Sequence, residues 1–302
     1  WGNGTGPSSA MAIVNADGTI NLVEGSPDIG GTRASLSQQL AEVLGIAVED
    51  VKPSVGDTDS IGFTSNTGGS GVTFKTGWAC YEAALDVKRQ MMERAAKIWE
   101  IPLGDVEYTD GVLHHKSDPE LRLTFKQLSA RLNATGGPVT GRAGVNPRGA
   151  GAALATHIVD VQVDPETGKV DILRYTALQD AGKAIHPSYV ENQMQGGAVQ
   201  GIGWALNEEY FFNEQGHMVN SSFLDYRMPI SLDLPMIDTV VVEVANPTHP
   251  FGVRGVGEVS IVPPMAALAN AIYRAVGVRL NQLPMAPGRI LEALWEKERK
   301  SP

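Results

Sequence analysis

The 302-residue sequence has a single cysteine, Cys80. That excludes a disulfide framework, a cysteine-rich zinc site and an iron–sulfur cluster held by this chain alone. Basic residues are in deficit: 24 Lys and Arg against 34 Asp and Glu give a formal net charge of -10. Nucleic acids and anionic membranes attract the opposite sign, so neither is an expected partner. Six histidines are scattered through the chain, and no His-Glu-x-x-His occurs. The adjacent pair His114-His115 projects to opposite sides of a strand and reads as solvated. No apolar run reads as long enough to span a bilayer, and no secretory signal is recognised, so a cytoplasmic location is expected.

Common nucleotide and hydrolase motifs are missing too. "ETGKV" lacks the leading glycine and the Ser/Thr of a Walker loop, and Val72 stands where a Gly-x-Ser-x-Gly elbow around Ser70 needs its second glycine. "GDTDSIGFTSNT" carries calcium-loop acids without the closing glutamate. No strand-flanked Gly-x-Gly-x-x-Gly with a trailing acid marks a Rossmann site. No residue of this chain is expected to ligate a metal.

What the chain does have is a core and an excess of glycine. Apolar residues make up 42% and charged residues 19%, enough to bury a sizeable interior. Two segments share a plan. "AMAIVNADGTINLVEGSPDIGGTRASLSQQLAEVLG" reads as strand, Asp17-Gly18 turn, strand, glycine loop and helix, stopping at Gly45. "THIVDVQVDPETGKVDILRYTALQDAGKAIHPSYVENQMQGGAVQGIGWALNEE" reads as strand, turn over residues 164–168, strand, loop and helix. Repeated hairpin-plus-helix units predict an α+β fold with two lobes of mixed sheet and helices. Residues 1–140 form the first expected lobe and residues 141–302 the second, joined through a Gly/Pro-rich linker over 135–152. Further helices are predicted over 76–100, 264–276 with a stop at Gly277, and 288–297. The chain opens on Trp1 and runs at once into a strand, as a piece of something longer would.

The 34 glycines exceed the usual ~7%. They cluster in "WGNGTG", "DIGGTR", "TGGSG", "QGGAVQGIG" and "FGVRGVGE". A single such loop is most simply a turn or a cap. Several of them, each ahead of a helix, offer backbone N–H groups to a large phosphate-bearing ligand. In the helix "QMQGGAVQGIGWAL", each glycine weakens the helix by up to about 1 kcal/mol relative to alanine. Either something approaches its backbone or it packs tightly on a neighbour. Gln195 and Gln200 could bond a pterin or amide edge. In "GVGEVSIVPP" a lone acid, Glu258, follows a glycine turn and precedes two stiffening prolines.

"GVGEVSIVPPMAALANAIYRAVG" resembles the carboxy-terminal signature of the molybdenum hydroxylases, the xanthine dehydrogenase and aldehyde oxidase family. "SPDIGGTRASLSQQLAEVLGI", "TGGSGVTFKTGWACYEAA", "LQDAGKAIHPSYVENQMQGGAVQGIGWALNEE" and "SSFLDYRMP" match it in the same order, over nearly the whole chain. The resemblance places this sequence in the second half of the molybdenum-cofactor region of the large subunit. It implies a molybdopterin cofactor with molybdenum, often as the cytosine dinucleotide, to which the protein gives no metal ligand. It implies Glu258 as general base toward the oxygen that attacks an electron-poor carbon of an aldehyde or N-heterocycle, with water as oxygen donor. Gly30, Gly31, Thr32 and Arg33 match one cofactor loop, Ser70, Gly71, Val72 and Thr73 a second, and Gln200 and Gly257 further contacts.

Two positions depart from the family: Gly31, where relatives often carry Gln, and Val259-Ser260, where many carry Pro-Pro. The implied partners are the amino-terminal half of the molybdenum subunit, and iron–sulfur and flavin (FAD) domains or subunits that carry electrons away. A non-catalytic cofactor-binding or assembly subunit and an unrelated flavin or nicotinamide dehydrogenase are the competing readings. Glu258 weighs against the first, and the missing Rossmann fingerprint against the second.

Overall fold

A computed structural model describes residues 1–300. Strands β1 (Ser8–Val14) and β2 (Ile20–Glu24) form an antiparallel hairpin. At its turn the Asp17 carboxylate accepts the Thr19 N–H and hydroxyl, while Gly18 takes φ +88°, a left-handed angle that favours glycine. Helix α1 (Thr32–Leu44) buries Leu36, Leu40 and Leu44, spaced four apart on one face. It ends on Gly45 in the left-handed conformation. Strand β3 (Val51–Val55) then returns parallel to β2. Helix α2 (Val72–Trp99) follows, burying Ala79, Cys80, Ala83, Val87 and Met91 against the sheet.

A small antiparallel sheet comes next, of β4 (Val106–Thr109), β5 (Val112–His115) and β6 (Arg122–Thr124). The short helices α3 (Phe125–Ser129) and α4 (Leu132–Thr135) lead from it to β7 (Thr140–Val145). Strand β7 pairs antiparallel with β1, so the first large sheet has the order β3-β2-β1-β7.

The plan then repeats. Strands β8 (Ala155–Val163) and β9 (Val170–Asp180) make a hairpin. Helix α5 (Pro187–Leu206) follows, and β10 (Ile237–Val242) lies parallel to β9 in a sheet of order β10-β9-β8. Helix α6 (Pro263–Val276) occupies the place of α2, and α7 (Pro287–Lys300) closes the described chain. Each unit is therefore hairpin, helix, parallel edge strand and second helix. Register makes the correspondence explicit: Glu24 lies opposite Val55 and Asp180 opposite Val242, so the two acids close corresponding strands.

Each of the two larger sheets has its own buried cluster, one around Leu36, Leu40 and Met91, which also takes in Val106 and Leu113 of the small sheet, and one around Tyr175, Met194 and Leu268. A third cluster joins the two units: Phe74, Ala150 and Val253, flanked by Trp78, Ile185 and Phe251. Full burial of such a side chain contributes roughly 1.5–3 kcal/mol.

Four sequence expectations need correction. The predicted linker begins on the last residue of α4 and contains β7, which runs past the expected lobe boundary at 140 and pairs with β1; its glycines and lone arginine hide the strand. Helix α2 starts at Val72, a turn before the predicted residue 76, because β-branched Val72 and Thr73 directly after Gly71 disguise its first turn. Residues 259–276 are long and apolar enough, by length and composition, to cross a membrane, contrary to the reading above. In the fold Leu268 and Ile272 of this stretch are buried in the second cluster. Gln195 donates to the Ile237 carbonyl at 3.1 Å, tying α5 to β10 rather than waiting for a ligand.

Candidate functional site

A cleft of about 360 Å³ lies between the two units. Its walls come from four corresponding places. They are the turn 29–32 before α1, residues 67–73 at the start of α2, residues 186–193 in the first turns of α5, and the loop 253–261 before α6. In none of these four helices does the N-cap residue's own side chain cap the start, although Asp28 Oδ1 accepts the Arg33 N–H at α1 and prolines open α5 and α6; α3, away from the cleft, carries a complete capping box from Thr124 and Gln127. An uncapped start such as that of α2 leaves first-turn N–H groups for a ligand, and the helix starts together turn positive dipole ends toward the cleft. Two cleft-wall hydroxyls, Thr32 Oγ1 and Thr67 Oγ1, are buried without a hydrogen-bond partner. Buried polar atoms are normally satisfied, so this donor set fits a large ligand rich in oxygen and N–H groups.

Glycine sets how closely the walls meet. Gly30 and Gly31 are both left-handed, at φ +63° and +76°. A Cβ on Gly30 would fall 2.7 Å from the Gln193 side chain, and one on Gly31 would enter the Tyr189 ring. Gln193 also reaches Gly257, whose hypothetical Cβ would lie 3.1 Å from Gln193 Oε1. Gln193 thus sits between the two glycine loops, although nothing in its sequence neighbourhood singles it out. Tyr189 stacks on His186 at 3.8 Å between centroids, forming an aromatic shelf at the start of α5.

Glu258 stands on the last residue before a 3₁₀ turn, Val259–Ile261. Its backbone N–H donates to Ser70 Oγ at 2.9 Å, and Ser70 Oγ donates to Glu258 Oε2 at 3.2 Å. Ser70 pays for this reach with a left-handed backbone, φ +56°, a conformation that strains a non-glycine residue by roughly 1–3 kcal/mol. Gly255 lets the loops meet, since a Cβ there would fall 2.7 Å from Ser70 Cβ. Behind the loop, Arg254 pairs with Asp180 at 3.1 Å, both side chains only 15% exposed.

The glycines of α5 serve packing. Cβ atoms on Gly197 and Gly201 would fall 3.0 Å from Ser260 Cβ and 2.6 Å from the Ile261 carbonyl, so this bare face receives the exit of the Glu258 loop. The "WGNGTG" cluster is also structural. Gly4 donates to the Gly69 carbonyl and Asn3 to the Gly151 carbonyl, so the first residues thread between the units.

Other buried polar groups brace the walls. Lys75 Nζ donates to Ser65 Oγ and to the Asn66 carbonyl, each at 2.7 Å, and burial lowers its pKa. Glu24 accepts the Ser26 N–H at 2.6 Å, and burial pushes its carboxyl up to about 7. His249 Nε2 bonds the Phe74 carbonyl at 3.2 Å while Nδ1 accepts the Phe251 N–H at 3.0 Å, fixing the neutral tautomer. Its burial, like that of His157, pulls the pKa down to about 4.

Of the residues singled out from sequence, Gly30, Thr32, Ser70, Val72, Thr73, Gln200, Gly257 and Glu258 line the cleft together. Three do not. Gly31 is covered by Tyr189, Arg33 turns to Asp28 in a 2.7 Å ion pair, and Gly71 lies behind the wall against Gly4. Arg254 lines the cleft as well. Among the described residues no three His, Cys, Asp or Glu side chains cluster as a metal site.

Two units of one plan, bringing glycine loops and helix starts together along a shared seam, define a domain that binds a large cofactor. The family model described as the molybdopterin cofactor-binding domain matches residues 1–235, and the chain belongs to that family. It is 32% identical over 299 residues to the xanthine dehydrogenase molybdenum-binding subunit of Escherichia coli O157:H7, covering 97% of this chain and 40% of that one. It is also 32% identical to subunit gamma of the 6-hydroxypseudooxynicotine dehydrogenase complex of Paenarthrobacter nicotinovorans, covering 92% and 36%. Among solved structures, reconstituted CO dehydrogenase from Oligotropha carboxidovorans superposes with a TM-score of 0.88 at 25% identity, over 97% of this chain and 38% of that one. The chain thus spans about two fifths of the length of the relatives it matches.

Proposed function

We propose that this chain is the catalytic-loop half of a molybdenum-dependent hydroxylase subunit that oxidises an aldehyde or N-heterocycle with water as oxygen donor. One observation carries the reading: Glu258 stands in the wall of the cleft that the glycine loops and helix starts define. In this reading Gly30 and Thr32 on α1, Thr67, Ser70, Val72 and Thr73 at α2, and Gln193 and Gln200 on α5 hold the pterin cofactor. The bound cofactor, with or without its cytosine nucleotide, supplies the acceptor for the electron pair. Glu258 acts as general base. Ser70 donates to Oε2, among the described residues no hydrogen bond is made to Oε1, and in this reading Oε1 takes the proton. The balance is one C–H and one water converted to C–OH, with two protons and two electrons released. The electrons leave through iron–sulfur and flavin (FAD) partners, and the amino-terminal half of the same subunit completes the cleft. The two lobes divide after Val145 in this scheme.

The test is Glu258→Gln in the complete complex, with molybdenum measured by elemental mass spectrometry. We expect undiminished molybdenum and a fall in kcat of at least 10²–10⁴-fold, the scale of general-base catalysis. Retained turnover removes the role given to Glu258. A wild-type complex that turns over no aldehyde or N-heterocycle despite full molybdenum favours a binding or assembly role.

A further inference from the structure

We infer that Gln179 is a positioning residue for Glu258, an inference that rests on the general-base reading above. Gln179 is the penultimate residue of β9, the central strand of its sheet, and is 1% exposed. Its Nε2 donates to the Val256 carbonyl at 3.1 Å, and its Oε1 accepts from Ser260 Oγ at 2.6 Å. Val256 and Ser260 stand two residues before and two residues after Glu258. One side chain therefore pinches the loop at points symmetric about the carboxylate without touching the carboxylate itself. Ser260 is fully buried, so its hydroxyl has no water to exchange with.

Only an amide of this length meets the demand, since one end must donate and the other accept. A methionine has the volume and neither function. A glutamate can accept from Ser260 but donates to Val256 only when protonated. The next residue extends the hold, because Asp180 pairs with Arg254 at 3.1 Å. The end of a central strand thus fixes the loop from behind, while Ser70 meets Glu258 from the cleft side. A base must be held to about half an ångström to act, so the fixed strand end, rather than the glycine loop, sets the position of the carboxylate.

The experiment compares wild type, Gln179→Met, Gln179→Glu and Ser260→Ala in the complete holoenzyme. Molybdenum content, steady-state kinetics against pH and amide hydrogen exchange of residues 255–262 are measured on each. For Gln179→Met we expect normal molybdenum, exchange in 255–262 faster by about tenfold or more with the sheets unaltered, kcat lower by roughly 10–100-fold, and KM within about twofold. Ser260→Ala, which removes one of the two bonds and little volume, shifts both readouts in the same direction by less, and serves if Gln179→Met fails to fold. For Gln179→Glu, activity relative to wild type rises as pH falls and the carboxyl regains its proton.

Unchanged exchange in 255–262 with unchanged kcat overturns the inference. So does acceleration spread evenly over the whole chain, which is the mark of plain destabilisation. Exchange does not depend on what Glu258 does. An active Glu258→Gln enzyme would therefore sink the general-base reading while leaving the exchange result to decide whether Gln179 holds the loop.

Discussion

Ser70 and Glu258, 188 residues apart, exchange two hydrogen bonds through one hydroxyl, which accepts from the Glu258 backbone and donates to its carboxylate. The first unit supplies the hydroxyl and the second the acid, so the placement of the acid depends on how the two units meet. A hydrogen bond to a charged group contributes about 1.5–3 kcal/mol.

Ser70→Ala is expected to lower kcat by about 10–100-fold while molybdenum stays bound, as measured by steady-state kinetics and metal content. Ser70→Gly separates placement from strain. It relieves the left-handed backbone and raises the melting temperature above that of Ser70→Ala, yet leaves kcat equally low.

Gly31 and Tyr189 form a second pair across the seam. Gly31→Ala puts a Cβ into the Tyr189 ring at a backbone angle alanine resists. The expected result is a loss of roughly 1–3 kcal/mol in stability and a fall in bound pterin. Tyr189→Ala in the same chain restores part of both. A double-mutant cycle read by thermal denaturation and cofactor content gives a coupling of at least about 0.5 kcal/mol, and purely additive effects contradict the contact.

Two buried groups give stability opposite pH dependences. His249 is held neutral, with its pKa lowered by burial to about 4 against 6.5 when unfolded. Its contribution is present above about 6.5 and is lost as pH falls through 4, worth about 3 kcal/mol over that window. His249→Phe is expected to flatten the acid limb of a denaturant-stability profile by about one proton. Glu24 runs the other way, raised by burial from 4.5 to about 7. Its contribution is full below 4.5 and is lost as pH rises through 7, so Glu24→Gln gains stability relative to wild type at pH 8. Parallel profiles for variant and wild type contradict either assignment.

The parts of the fold written in local chemistry were readable from sequence: the Asp17-Gly18 turn, the Gly45 and Gly277 helix stops, and the doubled hairpin-plus-helix plan. Strands β3 and β7 were not, because "VKPSV" carries a proline at an edge and "TGRAGV" has two glycines, so neither alternates cleanly. In the cleft, clustered glycines drew attention to Gly30, Gly257 and Glu258. Their partners are distant in sequence: Ser70, marked by its own glycine cluster, acts on Glu258, whereas Gln193, beside Gly30, and Gln179, bonded to Ser260, carry no local mark. Gln195 was the wrong glutamine of its helix, since two residues along an α-helix turn a side chain about 200° away from Gln193.

The cleft runs along the join between two units that each have a core, so its occupant acts as a non-covalent cross-link. Binding free energy gained there is gained by the docked arrangement alone and adds directly to the cohesion of the pair. Emptying the cleft leaves the hairpins and helices of each unit near their own stabilities, while the shared surface around Phe74, Val253 and His249 becomes the first place for the molecule to open.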